Sequence, residues 1–146
     1  MAFSSKTKIR VRYADTDQMK RVYHGKFFEY FEQGRSDLLR DIGMPYSDIE
    51  RLGYFIPVIE AHARYIKPAR YDDLLIVHTI VQEVPQARIR IEYIVRNGDT
   101  DDVHTEGYTV HSFVNAETGK PTRAPAQFLE MLSDAMGRAS AQRSQL

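Results

Sequence analysis

The chain has 146 residues, with 20 basic and 20 acidic side chains and 42% hydrophobic residues. That length fits one domain able to bury roughly 70% of its unfolded surface, so the core needs no staples. A formal charge of zero argues against a general electrostatic grip on nucleic acid, and the absence of cysteine removes disulfides, thiolate nucleophiles and cysteine-ligated zinc.

In chain order, Lys8 to Tyr13 alternates, with Ile9, Val11 and Tyr13 on one face of a half-buried first strand. Ala14 to Met19 is polar and acidic and reads as a loop. Tyr23 to Ile42 reads as one long helix whose apolar face carries Phe27, Phe31, Leu38 and Ile42, widened by Phe28 and Leu39. Gly43 and Pro45 stop it. Arg35 falls within the apolar stripe and needs a partner; Glu32, three residues away, is the local candidate. Four β-rich runs follow, at Ile56–Ile66, Leu74–Glu83, Arg88–Val95 and Val103–Val114, separated by breaks at Asp72-Asp73, Val84-Pro85-Gln86 and Asn97-Gly98-Asp99. Leu74–Val81, apolar on both parities except His78 and Thr79, suggests a central strand. Only one other helix is expected, near Pro125 to Arg138, and Ser133 to Leu146 is small and polar and expected to fray.

Short links favour antiparallel pairing. The economical packing is a five-stranded antiparallel sheet curled around the long helix: an α+β hotdog fold occupying residues 1–146 as a single domain, core about 8–132. Exposed strand edges and a flat end predict a homodimer or homotetramer.

The chemistry concentrates between Arg12 and Phe28, RYADTDQMKRVYHGKFF. Asp15 and Asp17 lie on a loop feeding the long helix, whose start exposes backbone N–H groups carrying partial positive charge. A carboxylate facing such a site makes a minimal hydrolase: one group attacks or activates water, the other polarises a carbonyl. Thioesters suit this modest equipment, because sulfur donates poorly into the carbonyl and leaves as thiolate without a strong acid. Equally, acidic residues before a helix serve as caps or dipole partners. A metal at Asp15 and Asp17 lacks further ligands, and His78, His104 and His111 lack ligand spacing, so no metal site is expected. Ser112 lacks a Gly-x-Ser-x-Gly context.

Arg12-Tyr13-x-Asp15-Thr16-Asp17 followed by Val22-Tyr23-His24-x-x-Phe27 resembles the signature of the 4-hydroxybenzoyl-CoA thioesterase and YbgC-type branch of hotdog acyl-CoA thioesterases. The resemblance continues at Phe31-Glu32, Gly34-Arg35, Pro57-Val58, Tyr65-Ile66-Lys67-Pro68-Ala69 with Asp73, and Thr118-Gly119-Lys120-Pro121 before Pro125. It implies Asp17 as the catalytic carboxylate and a backbone N–H near His24 as carbonyl polariser, with Val22, Tyr23 and Gly25 beside the substrate. It also implies an acyl groove at a dimer interface, basic residues at the CoA phosphates, and no cofactor beyond the CoA of the substrate. Lys20 stands where the family commonly has glycine, which permits close approach or positive φ. Lys20 therefore either tunes specificity or touches CoA, or the loop is displaced and activity weak. Lys26 stands where asparagine is frequent.

The phosphate candidates are Lys67, Arg70, Arg88, Arg90, Lys120 and Arg123, led by Arg88 and Arg123. Glu60, His62 and Arg64 share one strand face and read as solvated. The expected activity is hydrolysis of an acyl-CoA by Asp17 as nucleophile or general base. The alternatives are a non-catalytic acyl-CoA or acyl-carrier binding protein and a 3-hydroxyacyl thioester dehydratase using His24 with Asp17. Without an apolar leader or a run of about 18 apolar residues, no membrane span and a cytoplasmic location are expected.

Overall fold

The computed structural model describes residues 2–144. Strand β1 (Phe3–Arg10) leads through a single 3-10 turn (Tyr13–Asp15) to helix α1 (Lys26–Ile42), then α2 (Tyr46–Arg51). Strands β2 (Tyr54–Phe55), β3 (Val58–Tyr65), β4 (Leu74–Val81), β5 (Arg88–Asn97), β6 (Val103–Asn115) and β7 (Pro121–Thr122) follow, and α3 (Ala126–Ser144) closes the described chain. The five long strands form one antiparallel sheet in the order β1-β4-β5-β6-β3, and the two-residue β2 and β7 pair with the end of β6. The fold is the expected hotdog, with α1 laid along the inner face of the sheet.

The anticipated stripe on α1 holds: Phe27, Phe31, Leu38, Leu39 and Ile42 are buried, while Phe28 remains 37% exposed. Phe31 stacks flat on Tyr93 of β5, ring centroids 4.3 Å apart. The helix approaches β4 through Gly34, where an added Cβ would collide with the Thr79 hydroxyl and lie 2.9 Å from Val77 Cγ1. Gly43 adopts φ 99° and ends the helix, as its sequence position predicts.

Several boundaries differ from expectation. β1 begins at Phe3 because its inward Ser5 and Thr7 are polar yet satisfied, donating to Asp41 and Asp37 of α1 at 2.6 Å each. It stops before Tyr13, which is 79% exposed rather than on the buried face. Helix α1 starts at Lys26, not Tyr23, because Tyr23 to Gly25 form its entry turn. The short α2 was not anticipated: Pro45, which reads as a stop, sits instead at its N-cap. Residues from Ser133, expected to fray, continue α3 to Ser144, with Ala135 and Met136 buried against the core. The last two residues, 145 and 146, lie outside the described residues.

Candidate active site

The two aspartates of the loop have opposite fates. Asp15 is buried and both its oxygens are consumed: Oδ1 accepts from the Arg12 guanidinium at 3.1 Å, and Oδ2 accepts from the Arg12 N–H at 3.1 Å and the Tyr30 hydroxyl at 2.9 Å. Lys26 Nζ lies 3.8 Å away. Burial pushes the Asp15 carboxyl upward, but these hydrogen bonds and the Arg12 charge outweigh it and hold the group below the usual carboxylate range. Asp15 is a structural anchor that ties the loop to α1.

Asp17 is exposed. Its Oδ1 accepts from the N–H groups of Met19 (2.8 Å) and Arg21 (3.3 Å), while its Oδ2 meets no protein donor among the described residues. The turn is closed by Lys20 N–H to Asp17 O at 3.0 Å and Asp17 N–H to Arg21 O at 2.7 Å. Thr16 bridges Val22, and the Val22 N–H donates to Ala69 O at 2.8 Å, so the loop is stitched to the segment after β3.

Lys20 adopts φ 63°, the left-handed conformation that a glycine takes without cost. The loop thus keeps the shape expected of the family glycine and carries a lysine there under strain. Lys20→Gly should raise unfolding stability by about 0.5–1 kcal/mol, relief of Cβ strain offset in part by glycine's unfolded-state entropy. Urea denaturation of the two proteins measures it.

Asp17 lines a groove of about 380 Å³ together with His24, Phe27, Tyr65, Lys67 and Ala69. His24 belongs to the turn entering α1, and the N–H groups of His24 and Gly25 find no protein acceptor among the described residues. At Gly25 an added Cβ would lie 2.8 Å from the half-exposed Tyr23 ring, which would have to swing aside. Of the expected residues, Asp17, Val22, His24 and Lys67 line this groove, while Lys20, Tyr23 and Gly25 are their chain neighbours outside its lining. Lys67 is already paired with Asp102 at 2.6 Å. Arg88 and Arg123 are elsewhere in the same chain. Arg88 pairs with Ser112, whereas Tyr65 pairs with Thr105, seven residues away along β6; this is about 23 Å at strand rise. Arg123 follows β7, which pairs with Phe113.

A second cavity of about 400 Å³ lies at the other end of β3, lined by Arg35, Leu39, Tyr46, Ile56, Val58 and His111 among others. Here the expected Glu32–Arg35 pair is absent. Arg35 instead donates to the Tyr93 hydroxyl at 3.3 Å, a partner 58 residues away. Tyr93 and Thr109 hydroxyls are 2.6 Å apart, Thr109 Oγ1 and His111 Nε2 2.8 Å, and His111 Nδ1 and Ile56 O 3.1 Å. A carbonyl only accepts, so Nδ1 carries the proton; Nε2 then accepts from Thr109, which accepts from Tyr93. Burial, with the Arg35 charge adding to it against the Ile56 hydrogen bond, lowers the His111 pKa to about 4. Unfolded, the ring gains a proton as pH falls below about 6.5, whereas the native ring resists until about 4. Stability should therefore drop progressively between those values, by about 3 kcal/mol in all. Half-buried His78, lowered by burial and by Lys6 and Arg96, acts in the same direction. Thermal melts across that range, compared with His111→Asn, isolate the His111 share.

Fold and groove together define a hotdog domain of thioesterase type. The chain belongs to the thioesterase-like superfamily, whose family model matches residues 11–132. It is 35% identical over 117 residues to the YneP protein of Bacillus subtilis, covering 80% of this chain and 84% of that one. It is 33% identical over 93 residues to the acyl-CoA thioesterase YbgC of Haemophilus influenzae, covering 61% and 67%. Among solved structures, the DHNA-CoA thioesterase of Staphylococcus aureus superposes with a TM-score of 0.82 at 29% identity, covering 97% of this chain and 94% of that one. No helix among the described residues is long and apolar enough to cross a membrane.

Proposed function

We propose that the protein hydrolyses an acyl-CoA thioester to a carboxylic acid and CoA, with Asp17 as the catalytic carboxylate and the His24 N–H as the donor to the carbonyl oxygen. One observation carries this reading: the uncommitted oxygen of Asp17 shares a groove with the opening turn of α1. As nucleophile, the carboxylate oxygen adds to the thioester carbon, the C–S bond breaks, the CoA thiolate departs, and water cleaves the mixed anhydride. As general base, Asp17 takes a proton from water as the water oxygen adds to the thioester carbon; the C–S bond then breaks, the CoA thiolate departs, and the proton on Asp17 passes to the thiolate or to solvent. Label found in the Asp17 carboxylate after a single turnover in ¹⁸O-labelled water would establish the anhydride route, because attack of water at the aspartyl carbon leaves label there and direct hydrolysis leaves none.

A second copy of the chain would find an open edge at β3, which among the described residues pairs only with β6 and exposes Val58, Ile59 and Tyr65, with Ile66 just beyond it. Two β3 strands joined antiparallel would set the Val58 end of one copy, near Arg88, beside the Tyr65 end of the other. That arrangement supports Arg88 as a CoA-phosphate contact across the homodimer. A cytoplasmic location agrees with the cysteine-free composition. A panel of short, long and aromatic acyl-CoAs with a thiol-trapping dye tests the activity. Absence of thiol release from all of them would overturn it, and hydration of a crotonyl thioester without thiol release would point to a dehydratase.

A further inference from the structure

The opening turn of α1 is held weakly by the helix itself. It contains Gly25 and has no side-chain cap; Lys26 N–H reaches Tyr23 O at 2.9 Å, but the helix's own bonds to the next two carbonyls are long, Phe27 N–H to His24 O at 3.3 Å and Phe28 N–H to Gly25 O at 3.2 Å. Glycine at such a position leaves the backbone freer than any other residue. The shortest bond to the His24 carbonyl comes from outside: the Tyr65 hydroxyl, at the end of β3, donates to it at 2.9 Å. The Tyr65 ring is also wedged between Phe27 (centroids 5.7 Å) and His24 (6.2 Å).

A peptide unit is planar and trans, so its C=O and N–H point in opposite directions. Fixing the direction of the His24 carbonyl therefore fixes that of the Gly25 N–H. We infer that Tyr65 is a positioning residue: its hydroxyl locks the His24–Gly25 peptide, which fixes the Gly25 N–H and, through the His24 Cα, steadies the preceding His24 N–H of the residue that shares the groove with Asp17. Gly25 makes room for the Tyr23 ring at the expense of local stiffness, and Tyr65 restores the stiffness from a neighbouring strand. Burial and the neighbouring Tyr23 raise the Tyr65 pKa, so the hydroxyl keeps its proton as a donor.

This inference rests on the thioesterase reading for its catalytic consequence. Tyr65→Phe keeps the ring and its contacts and removes only the donor. On the best acyl-CoA, kcat should fall about tenfold, the scale of a misaimed oxyanion donor rather than a lost one, with KM within about twofold. The melting temperature should stay put, and the Gly25 amide should shift in the ¹⁵N–¹H spectrum and exchange faster with solvent. An unchanged kcat, a fall in kcat that tracks lost folded protein, or an unmoved Gly25 amide would each overturn the role. Should the wild type release no thiol from any acyl-CoA, the thioesterase reading falls by itself, and the Gly25 amide still decides whether Tyr65 orders the turn.

Discussion

Replacing Asp17 by asparagine should lower kcat by about 10³-fold or more while leaving the fold intact. Asparagine keeps an oxygen able to accept from the Met19 and Arg21 N–H groups, so the loop retains its shape. What it loses is the charge and nucleophilicity of the second oxygen. Asp15→Asn should do the reverse. There both oxygens take hydrogen bonds from Arg12 and Tyr30 in a buried setting, and an amide cannot accept at both ends. Stability should fall by about 2–3 kcal/mol, since a buried, charge-assisted set is broken, and the rate per folded molecule should change far less. Activity and melting curves on the two variants form a double dissociation. If Asp17→Asn retains wild-type rate on the best substrate, the assignment fails.

The second large effect concerns Gly34. An alanine there would drive its Cβ into the Thr79 hydroxyl and against Val77, where α1 packs on β4. Neither neighbour is the loose end of a flexible chain; both are β-branched and buried at 0% exposure. Overpacking of this kind costs about 3 kcal/mol, and valine should prevent folding at ordinary temperatures. The loss should shrink in the Gly34→Ala, Thr79→Ala double variant, because removing the hydroxyl opens the space; strict additivity of the two changes would refute the contact. The Thr79 hydroxyl is also buried without a hydrogen-bond partner among the described residues. Exclusion of water and proximity to a backbone without a side chain go together at that point.

Helical periodicity made the long helix legible, and alternation or β-rich composition between breaks made four of the five long strands legible; β3 among them buries no side chain and was legible from composition alone. β1 was half hidden because its inward positions are Ser5 and Thr7, which carry no apolar signal and depend on Asp41 and Asp37 thirty or more residues away. Arg35 was legible as a charge in need of a partner, but its actual acceptor is the Tyr93 hydroxyl, which no local spacing indicates. At the site, residue types alone left Asp15 and Asp17 equivalent, and family resemblance preferred Asp17. The structure supplies the physical distinction, since one carboxylate is spent on holding the loop and the other keeps an oxygen free. Tyr65 and Tyr30 carried no signal as site residues: an aromatic at the end of a strand or on an apolar helix face reads as core.

The one-way line from Arg35 to the Ile56 carbonyl makes the imidazole of His111 a built-in spectroscopic probe. The strand entry at Ile56 dictates which ring nitrogen holds hydrogen, and the two tautomers have separate ¹⁵N resonances. Whatever lodges against Ile56 and Val58 and moves that carbonyl is thereby registered inside the core, at a nucleus that touches solvent hardly at all.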